Sequence, residues 1–301
     1  MSRARRARQT ALRWLASLGV AALVSGCLDA NVPSIPPTPT PAPDPTPVTT
    51  VYDLRANVWY EGLALHVDRA TATLDARGGP VVIVIRMDND TDDPSRLDGA
   101  VSLVLAGQRF EPTRESDVPE VPDHGSAAAT FRYELQGVAS IDDAVIEIGA
   151  GPLHVAHVPL TAGAGPLEAL EPVALTLAGS STASGLKITL RGGVLRWDLP
   201  DWSQELAASA AALILTYDVT YAGDFSGGLA FTGENVALRL PDGTIVDPRP
   251  DGHSQSVELI GARKTKKHLF SRFEIPSGLT GDFALLVRNG GAEKAIVFTI
   301  G

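Results

Sequence analysis

From residue 51 onward, no stretch of the chain keeps apolar residues at helical spacing for three turns. Apolar and polar residues alternate instead over short runs, such as Val101–Leu105 (VSLVL) and Val236–Leu240 (VALRL). That period of two belongs to strands with one face in a core and one in water. Gly, Pro, Asp and Asn punctuate the runs every 10–20 residues, as turns require. A chain patterned in this way has no helices with which to cover a sheet. It must close its apolar faces sheet against sheet, so the expected class is all-β.

The runs also repeat. Ala100–Pro112 aligns with Asn235–Pro248, given one extra residue in the turn, and both read as strand, Gly turn, strand, acid, proline. Arg132–Leu135 (RYEL) matches Arg272–Ile275 (RFEI), Asp143–Ile148 matches Asp282–Val287, and Gly62–Leu65 matches Gly185–Ile188. The matches keep their order, and the second copy gains an insertion around residues 197–212. Duplication of one β unit follows, with copies at 51–162 and 173–301. The Ala/Gly/Pro-rich stretch 163–172 reads as the linker. Tyr133 and Phe273 should face inward, and Arg132 and Arg272 outward, because neighbours on a strand alternate.

Strand count and spacing suit two tandem immunoglobulin-like β-sandwiches. The pattern resembles the immunoglobulin-like domains of extracellular bacterial lipoproteins, many of them grouped as an immunoprotective-antigen-like domain of unknown function. In that group a central strand ends at an Asn before a polar turn. Val81–Asn89 fits, whereas Leu213–Thr220 lacks the Asn. The resemblance implies adhesion, binding or scaffolding outside the membrane.

The N-terminal region reads as an address. Met1–Arg13 carries five arginines and no acid, and Trp14–Val24 is apolar but far short of the roughly 20 residues that a span needs. This is the layout of a secretory signal peptide over residues 1–26. Val24-Ser25-Gly26-Cys27 then resembles a bacterial lipobox, which implies cleavage before Cys27 and acylation of its thiol. Cys27 is the sole cysteine, so the mature protein has no intrachain disulfide and must rely on core burial. Several acyl chains anchor firmly to a bilayer. Leu28 in place of an Asp implies, by resemblance to enterobacterial lipoproteins, that an outer membrane is open to the protein as well as a cell membrane. Residues 27–50 read as a lipidated Cys and a disordered stalk. Within it Pro33–Pro47 is proline at almost every second position, which neither helix nor sheet accepts. As polyproline II it reaches roughly 45 Å.

Charge narrows the partners. Beyond the leader, 20 of the 25 Lys and Arg remain against 35 Asp and Glu. A surface so acidic repels phosphate backbones, so no nucleic acid is expected. Arg263, Lys264, Lys266 and Lys267 form one basic cluster, read either as a hairpin tip or as a contact for an anionic partner.

Catalytic signals are sparse. There is no G-x-S-x-G, and the lone cysteine belongs to the lipid. His154 and His157, placed on a strand, would point to opposite faces and not share an ion. Asp88, Asp90 and Asp92 alternate as in calcium loops, but Asp93 stands where an EF-hand needs Gly and Gly99 where it needs Glu. A looser Ca²⁺ site at those three, helped by Asp117, Glu120 and Asp123 if the fold brings them near, is the one cofactor offered. Trp197 and Trp202 lie in the insertion. They are expected to plug an end of the sandwich, Trp202 foremost, with a binding surface as the alternative. The function expected is a non-catalytic binding, adhesion or structural module tethered to a bilayer through Cys27, meeting a cell-surface protein or polysaccharide. The alternative is an accessory subunit that presents a partner enzyme or transporter.

Overall fold

The computed structural model describes residues 44, 46–97, 100–249 and 257–301. Cys27, the leader and most of the stalk lie outside the described residues, as does His253. The described chain is all-β, with two single-turn 3-10 helices.

The first copy contains β1 (Val48–Tyr60), β2 (Leu63–Leu74), β3 (Gly78–Asn89), β4 (Val101–Leu105), β5 (Gln108–Phe110), β6 (Ser126–Gln136), β7 (Val145–Ile148) and β8 (Ala156–Pro159). They form two antiparallel sheets, β1-β2-β3-β6 and β5-β4-β7-β8. The chain enters the second sheet at β4, returns to the first at β6, and crosses again at β7. With β2, β3 and β6 in one layer and β4, β7 and β8 in the other, this is the Greek-key order of a two-sheet sandwich preceded by one extra strand. Inward residues such as Leu65, Ile83, Tyr133 and Ile146 form one closed core. Strand β1 begins at Val48, three residues inside the segment assigned to the stalk, and pairs Val48 with Leu74.

The second copy contains β9 (Val173–Leu175), β10 (Gly179–Ala183), β11 (Leu186–Arg196), β12 (Asp198–Leu199), β13 (Gln204–Glu205), β14 (Ala210–Tyr221), β15 (Leu229–Phe231), β16 (Val236–Arg239), β17 (Ile245–Val246), β18 (Glu258–Ile260), β19 (Lys264–Pro276), β20 (Gly281–Asn289) and β21 (Ala292–Ile300). Its sheets run β10-β11-β14-β19, with β9 also on β11, and β17-β16-β20-β21. Its core is separate, built around Leu213, Tyr217, Phe273 and Phe283.

The two orders are the same strand for strand, and the registers agree through the middle of each sheet, although β1–β2 has a bulge between Asp53 and Ala56 that β10–β11 lacks and β14–β19 has one between Tyr217 and Val219 that β3–β6 lacks. Val81 pairs with Tyr133, and Leu213 with Phe273. Leu103 pairs with Ile146, and Leu238 with Leu285. A bulge interrupts β2 between Val67 and Arg69, and one interrupts β11 between Leu190 and Gly192, which is the same place in the repeat. A bulge is a local backbone feature that chance likeness of strands does not reproduce. Tyr133 and Phe273 are both fully buried. Arg132 is exposed as expected, but Arg272 is not. It is 3% exposed, because the insertion lies over the outer face of its sheet. The linker is also less free than its composition suggests. Glu168 pairs through its backbone with His157, and the Trp59 N–H donates to the Ala169 carbonyl at 2.8 Å.

Candidate functional site

The two copies differ most at one connection. In the first, β2 turns directly into β3, closed by a bridge between Asp75 and Gly78. In the second, residues 197–209 replace that turn. They build the two-residue ladder β12–β13, in which Asp198 faces Glu205, around a 3-10 turn at Pro200–Trp202. Proline suits the start of that turn, since its fixed φ is already helical and its missing N–H would have no partner there. Leu199 and Leu206 fold back onto Ala212 as a small buried cluster outside the main core.

The insertion grips the other sandwich. The β1–β2 turn presents Glu61 and Gly62, both at positive φ, so their N–H groups point outward together. The Gly62 N–H donates to Asp198 Oδ2 at 2.8 Å, and the Glu61 N–H to Glu205 Oε2 at 3.1 Å. A Cβ on Gly62 would stand 2.7 Å from the Pro200 Cα, so only glycine allows this approach. Arg196 holds Asp198 with two bonds, Nε to Oδ1 at 2.7 Å and Nη2 to Oδ2 at 3.0 Å. Further contacts widen the clasp. The Ser95 and Ser203 hydroxyls meet at 2.8 Å. The His154 N–H donates to the Leu206 carbonyl at 3.1 Å, and the Ala208 N–H to the Pro152 carbonyl at 2.8 Å.

Two carboxyls are thus buried side by side, Asp198 at 4% and Glu205 at 3% exposure. Arg196 balances only one negative charge. Burial, and then the charges of Asp198 and Glu61, push the Glu205 carboxyl up to about 9, against the opposing pull of the Glu61 N–H and Arg196. Glu205 is therefore a neutral acid at neutral pH, and its Oε1 has no hydrogen-bond partner. Beside the clasp lies a polar cleft of about 250 Å³, lined by Trp59, Asp90, Asp92, Arg196 and Asp201 among others.

Trp197, rather than the favoured Trp202, is the ring packed on a core. Trp197 is half-buried, packs on the second core and meets the His154 ring edge-on at 6.4 Å. Trp202 stays 36% exposed, on the outer side of the 3-10 turn. The Arg272 guanidinium sits 5.1 Å from its ring centre and that of Arg249 5.9 Å. Asp201 binds Arg272 at 2.8 Å, which explains how an outward-facing arginine comes to be buried.

The three aspartates of the calcium reading do not converge. Among the described residues no group of three or more His, Cys, Asp or Glu is placed to hold a metal ion. Asp88 is taken by His66, whose Nε2 lies 2.7 Å from its Oδ2, while Nδ1 lies 2.7 Å from Asn57 Oδ1. The Ser126 hydroxyl first, then His66 and Arg86, hold the Asp88 carboxyl below its ordinary range. The turn carrying Asp90 and Asp92 is organised by Asn89, which is 1% exposed. Its amide donates to the Asp93 and Pro122 carbonyls at 2.9 and 3.1 Å, and its Oδ1 accepts the Thr91 N–H at 2.9 Å. Asp92 pairs with His124, and Asp117 serves as a backbone bridge to Thr130. His154 lies before β8, not on it, and its Nε2 is 2.7 Å from the Ala210 carbonyl. His157 is on β8 with its Nδ1 2.6 Å from Glu168 Oε2, so the two histidines do not share a site. Arg263, Lys264, Lys266 and Lys267 are all exposed at the far end of the second sandwich.

Sequence reasoning missed Asp198, Glu205 and the Glu61–Gly62 turn as a unit. The one signal for them was an insertion present in a single copy. Comparison with protein-family models and with curated proteins finds no match to the chain.

Proposed function

We propose that the protein is an extracytoplasmic lipoprotein, anchored through acylated Cys27, whose two clasped sandwiches act as a non-catalytic binding or structural module. One observation carries this reading: the order of basic leader, apolar run, Val24-Ser25-Gly26-Cys27 and proline stalk, followed at once by a strand that starts at Val48. Each part is what a lipid-anchored head requires, and the proline run ends at Pro47, where the fold begins. The clasp supports the structural half of the reading, because it turns two modules into one presenting surface. An acidic head stays soluble, and a stiff spacer gives it reach from its anchor.

Mass spectrometry of the mature protein from membranes tests this. An N-terminal cysteine carrying diacylglycerol is the expected result. A soluble product that begins downstream of Cys27 would overturn it.

A further inference from the structure

We propose that the end of the second sandwich farthest from the clasp is a docking surface for an anionic bilayer. The proposal rests on the surface of the head and does not require the lipid anchor. Strands β11, β14 and β19 run from the clasp, at Arg196, Ala210 and Pro276, to an opposite end at Leu186, Tyr221 and Lys264. That end carries two large apolar side chains in water: Phe225 at 68% and Leu259 at 71% exposure. Each is tied to the basic run by an ion pair of its neighbour. Asp224, next to Phe225, binds Arg263 at 2.6 Å. Glu258, next to Leu259, binds Lys266 at 2.8 Å. Lys264 and Lys267 are exposed and have no carboxylate partner among the described residues.

Exposed apolar groups at the same end as a run of cations are what an interfacial anchor needs. The ring and the leucine enter the headgroup boundary, and the lysines meet anionic lipid with their stems along the apolar surface. Charge complementarity decides the occupant. The basic end attracts an anionic surface, and of the anionic occupants a lipid bilayer is the one that also takes Phe225 and Leu259 out of water. A soluble polyanion would use the lysines but leave Phe225 and Leu259 in water.

The test is flotation of the acyl-free chain 27–301 carrying Cys27→Ser, which retains every residue of both cores. The vesicles are phosphatidylcholine alone, or phosphatidylcholine mixed with phosphatidylglycerol. Binding to the mixed vesicles and not to the neutral ones is expected. Lys264→Ala with Lys267→Ala should weaken it about 30-fold, at about fivefold per lysine. Phe225→Ser with Leu259→Ser should weaken it about tenfold. All four substitutions are on the surface and should leave the thermal melt of the parent unchanged. Equal binding to both vesicles, or none to either, overturns the proposal. So does binding that ignores the Phe225 and Leu259 substitutions and is abolished by soluble polyglutamate, which would make the end a polyanion site.

Discussion

The same hairpin is made in two ways in this molecule. In the first sandwich β2 passes to β3 through the tight turn at Asp75–Gly78, and the outer face of its sheet stays open, with Arg132 exposed and Val84 at 42%. In the second, residues 197–209 replace the turn, cover Arg272 and reach across to Glu61 and Gly62. The strands on either side keep their order, their central register and the bulge at Val67/Arg69 and Leu190/Gly192. A duplicated fold can therefore change its role through one loop while its cores stay as they were. The core fixes the architecture, and the connection decides whether two copies are beads or one body.

The largest expected effects test the sameness of the cores. Tyr133→Ala and Phe273→Ala occupy equivalent positions and should each cost about 3–5 kcal/mol in denaturant melts. A cost under about 1 kcal/mol at one of the two would break the equivalence.

The next pair separates the turns. Gly62 and Gly185 have nearly the same conformation, φ +84° and +81°, so alanine strains both by about 1–2 kcal/mol. Only Gly62 also meets Pro200, at 2.7 Å, against a nearest neighbour at 3.5 Å for Gly185. Gly62→Ala should thus cost about 1–3 kcal/mol more than Gly185→Ala. Equal losses would mean that the clasp yields freely.

Trp197→Ala should cost about 2–3 kcal/mol, as a ring packed on the core. Trp202→Ala should cost about 1 kcal/mol, from loss of its contact with Arg272 and Arg249. Melts that rank the two in the reverse order would restore the assignment expected from sequence.

A further difference between the copies concerns pH. An ordinary glutamate ionises near 4.5, whereas Glu205 holds its proton up to about 9. Between those values the unfolded chain releases a proton that the folded one keeps. Stability contributed at this position is therefore complete below about 4.5, falls as pH rises, and levels off above about 9. Glu205→Gln, neutral throughout, should remove that slope and be the more stable protein at alkaline pH. Parallel pH profiles for the two would show that Glu205 ionises normally.

Much of the fold was legible because a period of two is a local property. Val81–Asn89 and Leu213–Thr220 announce themselves as strands whatever lies beside them, and hairpins such as Ala100–Pro112 carry their turn with them. The parity rule placed Tyr133, Phe273 and Arg132 correctly, and it gave Arg272 the correct face. What parity does not contain is a loop from elsewhere laid across that face. Asp198 and Glu205 were hidden for a related reason. Their role depends on Glu61 and Gly62, more than a hundred residues away, and the state of Glu205 depends on burial, which no residue pattern records. The alternating aspartates misled in the opposite direction. Asp88 alternates with Asp90 and Asp92 in sequence, but it lies on strand β3 beside His66 while the other two ride a turn built by Asn89.

The central claim is that residues 197–209 join two sandwiches into one body. Backbone ¹⁵N relaxation of the head tests it directly, comparing the natural chain with one in which those residues are replaced by the turn Asp75-Ala76-Arg77. The account predicts a single rotational correlation time shared by both sandwiches in the natural chain. In the variant it predicts two shorter and unequal times, with the amide spectrum of each core preserved. A variant that still tumbles with one time, equal to that of the natural chain, would contradict it.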